Sequence, residues 1–204
     1  LLNNEKEISK RTLASLLKVQ QMGIRIALAS GRPTYGLMPL AKILELGNYG
    51  GFIVSYNGCQ IINAQNGEIL FERRINPEML PYLEKKAHKN GFAIFTYHDD
   101  TLLTDSPNNE HIRTEAKLNN LKIIKEEDFS IAIDFAPCKC MLVSDDEEAL
   151  TGLEEHWKRR LNGTLDVFRS EPYFLEVVPC GIDKANTLGA LLSHLNLSLI
   201  HISE

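Results

Sequence analysis

The chain lacks most of what would tie it to a special environment. Its four cysteines, Cys59, Cys138, Cys140 and Cys180, form no C-x-x-C pair, and the one close spacing, C-K-C, is too tight for a zinc knuckle. Ordinary reduced thiols are expected. No apolar run comes near the roughly 20 residues of a membrane-spanning helix, and the opening LLNNEKEISKRT has no long apolar region to act as a signal. A cytoplasmic location with no membrane partner follows as the default. Basic excess is missing too: 22 Lys and Arg stand against 27 Asp and Glu, for a net charge of −5, so no nucleic-acid partner is indicated. The sequence has no internal repeat, low-complexity segment or long flexible linker, and nothing in it points to a protein partner.

What is present is enough apolar material for a sizeable core, 44% of 204 residues, in a regular alternation of elements. In EISKRTLASLLKVQQMG, Ile8, Leu13, Leu16 and Leu17 recur at helical spacing between a Ser9 cap and Gly23. IRIALAS follows, short and apolar as expected of a strand buried on both faces of a parallel sheet. A second helix is predicted from Thr34 to Glu45, then a strand in FIVSYN. This α-β-α-β order is that of a doubly wound α/β core. After Asn57-Gly58, CQIINAQNGEILFERRI reads as two strands around an Asn-Gly turn.

Pro77 starts a helix that ends at Gly91. Beyond it come strands in FAIFTYH and TLLTD, a helix within PNNEHIRTEAKLNN, a strand at CKCMLVS, a helix in DEEALTGLEEHWKRRLNG with Trp157 in its core face, and paired strands TLDVFRS and YFLEVVP. Residues 79–178 are therefore expected to form an inserted α+β module. CGIDKANTLGALLSHLNL then reads as a loop and an amphipathic helix, with Leu188, Leu191, Leu192 and Leu195 on one side, returning to a core made of 1–78 and 179–204.

In an open α/β sheet, ligands bind beyond the carboxyl ends of the strands, where helix N-termini present free N–H groups. LASGRPT, residues 28–34, falls there. Ser30 offers a hydroxyl, Gly31 allows close backbone approach, Arg32 adds a fixed charge and Pro33 suits a first helical turn. These residues also read as an N-cap serine, a loop glycine and a solvated arginine. Lys184, just inside the last helix, opposes the helix dipole, which a nearby anion would offset; the other reading is an exposed lysine after an Asp183 cap. Asn57-Gly58 lies level with Ser30 if the strands are parallel, and reads either as a ligand contact or as the turn into the hairpin. The acidic runs KEED and SDDEE, with Asp145 and Asp146, are expected to be solvated helix ends, and the histidines show no metal-ligand spacing.

Taken in order, GIRIALASGRP, FIVSYNGCQI and FLEVVPCGIDKANTLGALLSHL, after LLNNEKEIS and around a cap-sized insertion, resemble the Cof-type phosphatases of the haloacid dehalogenase superfamily, the subgroup with a large α/β cap. The resemblance implies a Rossmannoid parallel-sheet core with an inserted α+β cap. It implies hydrolysis of phosphate monoesters of small metabolites, such as sugar phosphates, through an aspartyl-phosphate with Mg2+. It makes Ser30 and Lys184 the catalytic and phosphate-binding pair, with Gly31 beside them, and puts Arg32, Asn57 and Gly58 on the substrate side. The cap would close over the site and select the leaving group, with residues 97–101, YHDDT, as one candidate loop.

Two motifs of that family have no counterpart. The Asp-x-Asp-Gly-Thr-type loop with the nucleophile would stand just before Leu1, and LNLSLIHISE replaces the approach to the Gly-Asp-x-x-Asn-Asp-type loop with the metal carboxylates. Ala185 stands where the family usually has Gly. The expectation is an internal fragment of such a phosphatase, without metal ligands or nucleophile of its own and inactive as it stands. The alternatives are a catalytically inactive phosphate-binding module and a phosphosugar mutase.

Overall fold

The computed structural model describes residues 3, 7–182 and 184–194, the last stretch without the side chains of 184, 185, 188, 190 and 194. Helix α1, Lys10–Gln21, starts at Ser9, whose hydroxyl accepts the Thr12 N–H at 3.1 Å. It stops at Gly23, which takes a φ of +88° that a side chain would resist. Strand β1, Ala27–Ala29, and strand β2, Phe52–Ser55, run parallel with Ala27 opposite Phe52 and Ala29 opposite Val54. Helix α2, Thr34–Ile43, connects them. It is shorter than the spacing predicts because Glu45 turns to a φ of +53° and the chain runs in turns to Gly50.

Strands β3, Gln60–Asn63, and β4, Ile69–Glu72, extend this sheet antiparallel around the Asn66-Gly67 turn, in the order β1-β2-β3-β4. Within this sheet the parallel character is thus confined, among the described residues, to the β1–β2 pair. Leu28, Leu37, Ala41, Leu44, Leu46 and Ile53 fill the face toward α1 and α2. The opposite face joins Phe52, Val54 and Ile61 to Leu191 of the final helix.

A second, six-stranded sheet follows. A Pro77–Met79 turn, capped by the Asn76 side chain, leads into helix α3, Leu80–Lys89. Then come β5, Ala93–His98, β6, Thr101–Thr104, α4, Glu110–Leu118, β7, Lys122–Lys125, α5, Phe129–Ala132, β8, Cys140–Val143, α6, Glu147–Arg160, β9, Leu165–Glu171, and β10, Phe174–Pro179. The strand order is β7-β6-β5-β8-β10-β9, antiparallel except for β6–β7. One face buries Ile94, Leu142 and Leu175 under α3 and α6, with Trp157 fully enclosed. On the other face Phe95, Tyr97, Met141 and Phe174 meet Ile112 and Ala116 of α4 and also Tyr56 and Cys59 of the first sheet. Helix α7, Lys184–His194, lies against the turn at Tyr56–Gly58. Leu188 and Leu195, assigned to its apolar side, lie outside the described side chains.

Two elements have no counterpart in the sequence reading. KEED closes strand β7 at Lys125 as well as leading into helix α5, of which Asp128 is the N-cap residue; the sequence hides β7 because only Ile123 and Ile124 stand between lysines. Flanking lysines suit an edge strand, where they discourage further pairing. Helix α5 is a single turn without apolar periodicity and has no sequence signature. SDDEE does start a helix, with the Asp146 carboxylate accepting the Ala149 N–H at 2.9 Å. No helix among the described residues is long and apolar enough to cross a membrane.

Two predictions follow from packing. Leu142 is fully buried and Ile131 is 80% exposed; in urea denaturation, Leu142→Ala should cost about 2–5 kcal/mol and Ile131→Ala less than about 0.5 kcal/mol. The four cysteines are free, and only Cys180 is not buried. Burial pushes the Cys138 and Cys140 thiols up to about 12, and the thiolate is the reactive form. Ellman's reagent at pH 8 should therefore modify Cys180 quickly and the other three only on unfolding; fast modification of Cys140 in the native protein would contradict this packing.

Candidate active site at the ends of the parallel strands

The β1–β2 register delivers two loops to the same level. The Ser30 N–H donates to Val54 O at 2.9 Å, the Asn57 N–H to Ser30 O at 3.1 Å and the Tyr56 N–H to Arg32 O at 3.0 Å. Ser30, Gly31 and Arg32 are thereby fastened to Tyr56 and Asn57 by backbone alone. Ser30 is not a helix cap. Pro33 holds that position, one residue earlier than the first-turn placement expected of it, and the Thr34 hydroxyl faces Ser55 and Gln60 at 2.6 Å each. The Ser30 Oγ instead accepts the Arg32 N–H at 3.2 Å, which leaves its proton to donate elsewhere.

Gly31 leaves no room for a side chain while Asn57 stays in place. A Cβ there would lie 2.7 Å from Asn57 Oδ1. Tyr56, Asn57 and Gly58 take φ values of +50°, +60° and +110° in succession, and a bulky residue such as Tyr56 in this region is a strained outlier that concentrates at functional sites. Burial, with the neighbouring Cys138, raises the Tyr56 phenol above its ordinary range, so it stays protonated.

Two charged residues that no sequence motif singled out complete the arrangement. Lys139 and Glu176 come from the second sheet, with side chains 3% and 7% exposed, and pair at 3.2 Å. Lys139 Nζ also donates to the Gly31 carbonyl at 3.0 Å and stands 5.4 Å from the centre of the Tyr97 ring. Asn57 Nδ2 donates to Glu176 Oε2 at 2.7 Å. The available signal was a single charge inside each of two apolar runs, CKCMLV and YFLEVVP, where an ion costs too much to sit without a partner.

Beside Tyr56 the two sheets enclose a cleft of about 290 Å3, into which Tyr97, His98 and Asp99 project opposite Thr34, with His98 stacked on Phe135 at 4.2 Å. Further along the seam, buried Asn119 fits over Gly36, where a Cβ would come within 2.3 Å of its Oδ1.

The structure therefore brings Ser30, Gly31, Arg32, Asn57 and Gly58 together. Lys184 opens α7, and its side chain lies outside the described residues. Among the described residues no three His, Cys, Asp or Glu side chains gather closely enough to hold a metal ion. Glu176, the carboxylate beside Asn57, is already engaged by Lys139. This donor set does not fit Mg2+, which takes oxygen ligands in near-octahedral geometry.

The family profile of haloacid dehalogenase-like hydrolases matches residues 1–203. A solved haloacid dehalogenase-like hydrolase from Bacteroides thetaiotaomicron is 42% identical with a TM-score of 0.91, over 97% of this chain and 74% of that one. A Thermotoga maritima structure is 26% identical with a TM-score of 0.78, over 96% of this chain and 72% of that one. A curated relative, an HMP-PP phosphatase of Yersinia pseudotuberculosis, is 24% identical over 199 residues, 98% of this chain and 70% of that protein. A strand-end hydroxyl loop, a second sheet set over it and a match that runs nearly the whole length agree: the chain belongs to the haloacid dehalogenase-like hydrolase family.

Proposed function

We propose that this chain is the substrate-binding body of a cytoplasmic, Mg2+-dependent phosphatase of small phosphorylated metabolites such as sugar phosphates. The observation that carries the reading is the Ser30 hydroxyl, held by the Arg32 N–H at the carboxyl end of a parallel strand and donating its own proton to no partner among the described residues. Family membership supports it, as does the phosphatase name of the Yersinia relative. In this reading residues 79–178 are the cap and the remainder is the core. The nucleophilic Asp and the carboxylates for Mg2+ would have to come from outside the described residues.

The chain's own contribution is positioning. Ser30 donates to a phosphoryl oxygen, Gly31 lets that oxygen approach the backbone, and Arg32 adds positive charge at the rim. Phosphoryl transfer spreads charge over the equatorial oxygens, so fixed donors aimed at them lower the barrier without reorganising. The family resemblance gives Lys184, which opens α7, the role of neutralising charge on the phosphoryl group. Asn57 and Gly58 border the leaving group, and the cap, with its 97–101 turn beside Tyr56 and Thr34, closes over the site and excludes water.

The test is phosphate release from a panel of sugar monophosphates by the full-length protein with Mg2+. Ser30→Ala should lower kcat/KM by about 10–1,000-fold, the range for loss of one oxyanion donor. Gly31→Ala, which forces Asn57 away, should lower it by about tenfold or more while leaving the far-UV spectrum native. Turnover that needs a bisphosphate activator would favour the mutase, and full activity in Ser30→Ala would remove the phosphate role of this loop.

A further inference from the structure

A trans peptide points its C=O and N–H in opposite directions, so a peptide gripped at both ends cannot turn over. The Gly31–Arg32 peptide is gripped in this way. Its oxygen accepts from Lys139 Nζ at 3.0 Å, and its N–H donates to Ser30 Oγ at 3.2 Å. Rotated by half a turn, the same unit would set a carbonyl against the hydroxyl and draw its proton inward. With the N–H directed at Ser30, the hydroxyl is an acceptor inward and a donor outward.

Lys139 is fixed in turn. Glu176 Oε2 pairs with it at 3.2 Å and accepts Asn57 Nδ2 at 2.7 Å, while Asn57 Oδ1 covers the Cα of Gly31. Both sides of Gly31 are therefore held by one ion pair from the second sheet. Packing alone does not call for this pair, since burying two charges is costly and an apolar pair of the same volume would fill the space.

We propose that Lys139 and Glu176 are positioning residues for anion binding: they lock the Gly31–Arg32 peptide so that the Ser30 hydroxyl is presented as a donor, and they couple that lock to the seating of the second sheet on the first. This rests on the phosphate reading of Ser30.

The test measures the Kd of inorganic phosphate for the full-length protein by calorimetry, in Ser30→Ala, in Lys139→Met with Glu176→Gln, and in the triple variant. Removing both charges leaves no lone buried ion. The paired variant should lose about tenfold or more in affinity, as for a hydrogen bond to a charged group, and the triple variant should be no weaker than Ser30→Ala, because both changes act through one hydroxyl. Wild-type affinity in the paired variant beside a weakened Ser30→Ala overturns the proposal and leaves the phosphate reading intact, as do losses that multiply in the triple variant. Unchanged affinity in Ser30→Ala removes both. Where the paired variant does not fold, amide exchange in the wild type decides: the Arg32 amide should be protected and further slowed by phosphate, and exchange at the unfolded rate overturns the proposal.

Discussion

Ala29 faces Val54 across a parallel pair, and from that register the geometry of the site follows. Because the strands run the same way and stop together, the chain leaves both at one edge, where no further ladder partner exists for Ser30, Arg32, Tyr56 and Asn57. Those backbone groups satisfy one another instead, as buried polar groups must. An antiparallel pairing would have sent the two loops to opposite ends. The left-handed run at Tyr56, Asn57 and Gly58 is the local cost of turning the chain out of β2 and into β3 while keeping Asn57 over Gly31.

The second constraint is that neither sheet closes its own surface. Tyr56 and Cys59 of the first lie in the same apolar cluster as Phe95, Tyr97 and Phe174 of the second, so the seam is built like an interior. Into that seam the second sheet places one cation and one anion, and both are matched by groups at the strand ends. The loop proposed to bind phosphate is thus shaped from the side of the proposed cap. Small shifts of one sheet on the other would be felt at the Gly31 carbonyl and at Asn57, the two groups that meet Lys139 and Glu176.

Much of this was legible in the sequence, for identifiable reasons. The Ser9 cap, the Asn66-Gly67 hairpin, the Asp146 cap and, apart from β7 and α5, the order of strands and helices rest on local chemistry, and the structure has them. Ser30, Gly31 and Asn57 were legible as a group because a strand end followed by a helix is where ligands bind. Whether Ser30 caps α2 was not legible, because it turned on where α2 begins, and Pro33 takes the cap. Strand β7 was hidden by its lysines. Lys139 and Glu176 are 37 residues apart and become neighbours only through the β8–β10 register, in which Met141 faces Glu176; no motif spacing carries such a pairing.

The central claim is that an oxyanion sits at Ser30. It is tested most directly by soaking crystals of the full-length protein with tungstate, a tetrahedral phosphate mimic, and locating the metal by anomalous scattering. The account predicts a peak with a tungstate oxygen within hydrogen-bond distance, about 2.7 Å, of Ser30 Oγ. A well-occupied tungstate bound elsewhere on the protein, with the Ser30 loop empty, would contradict it.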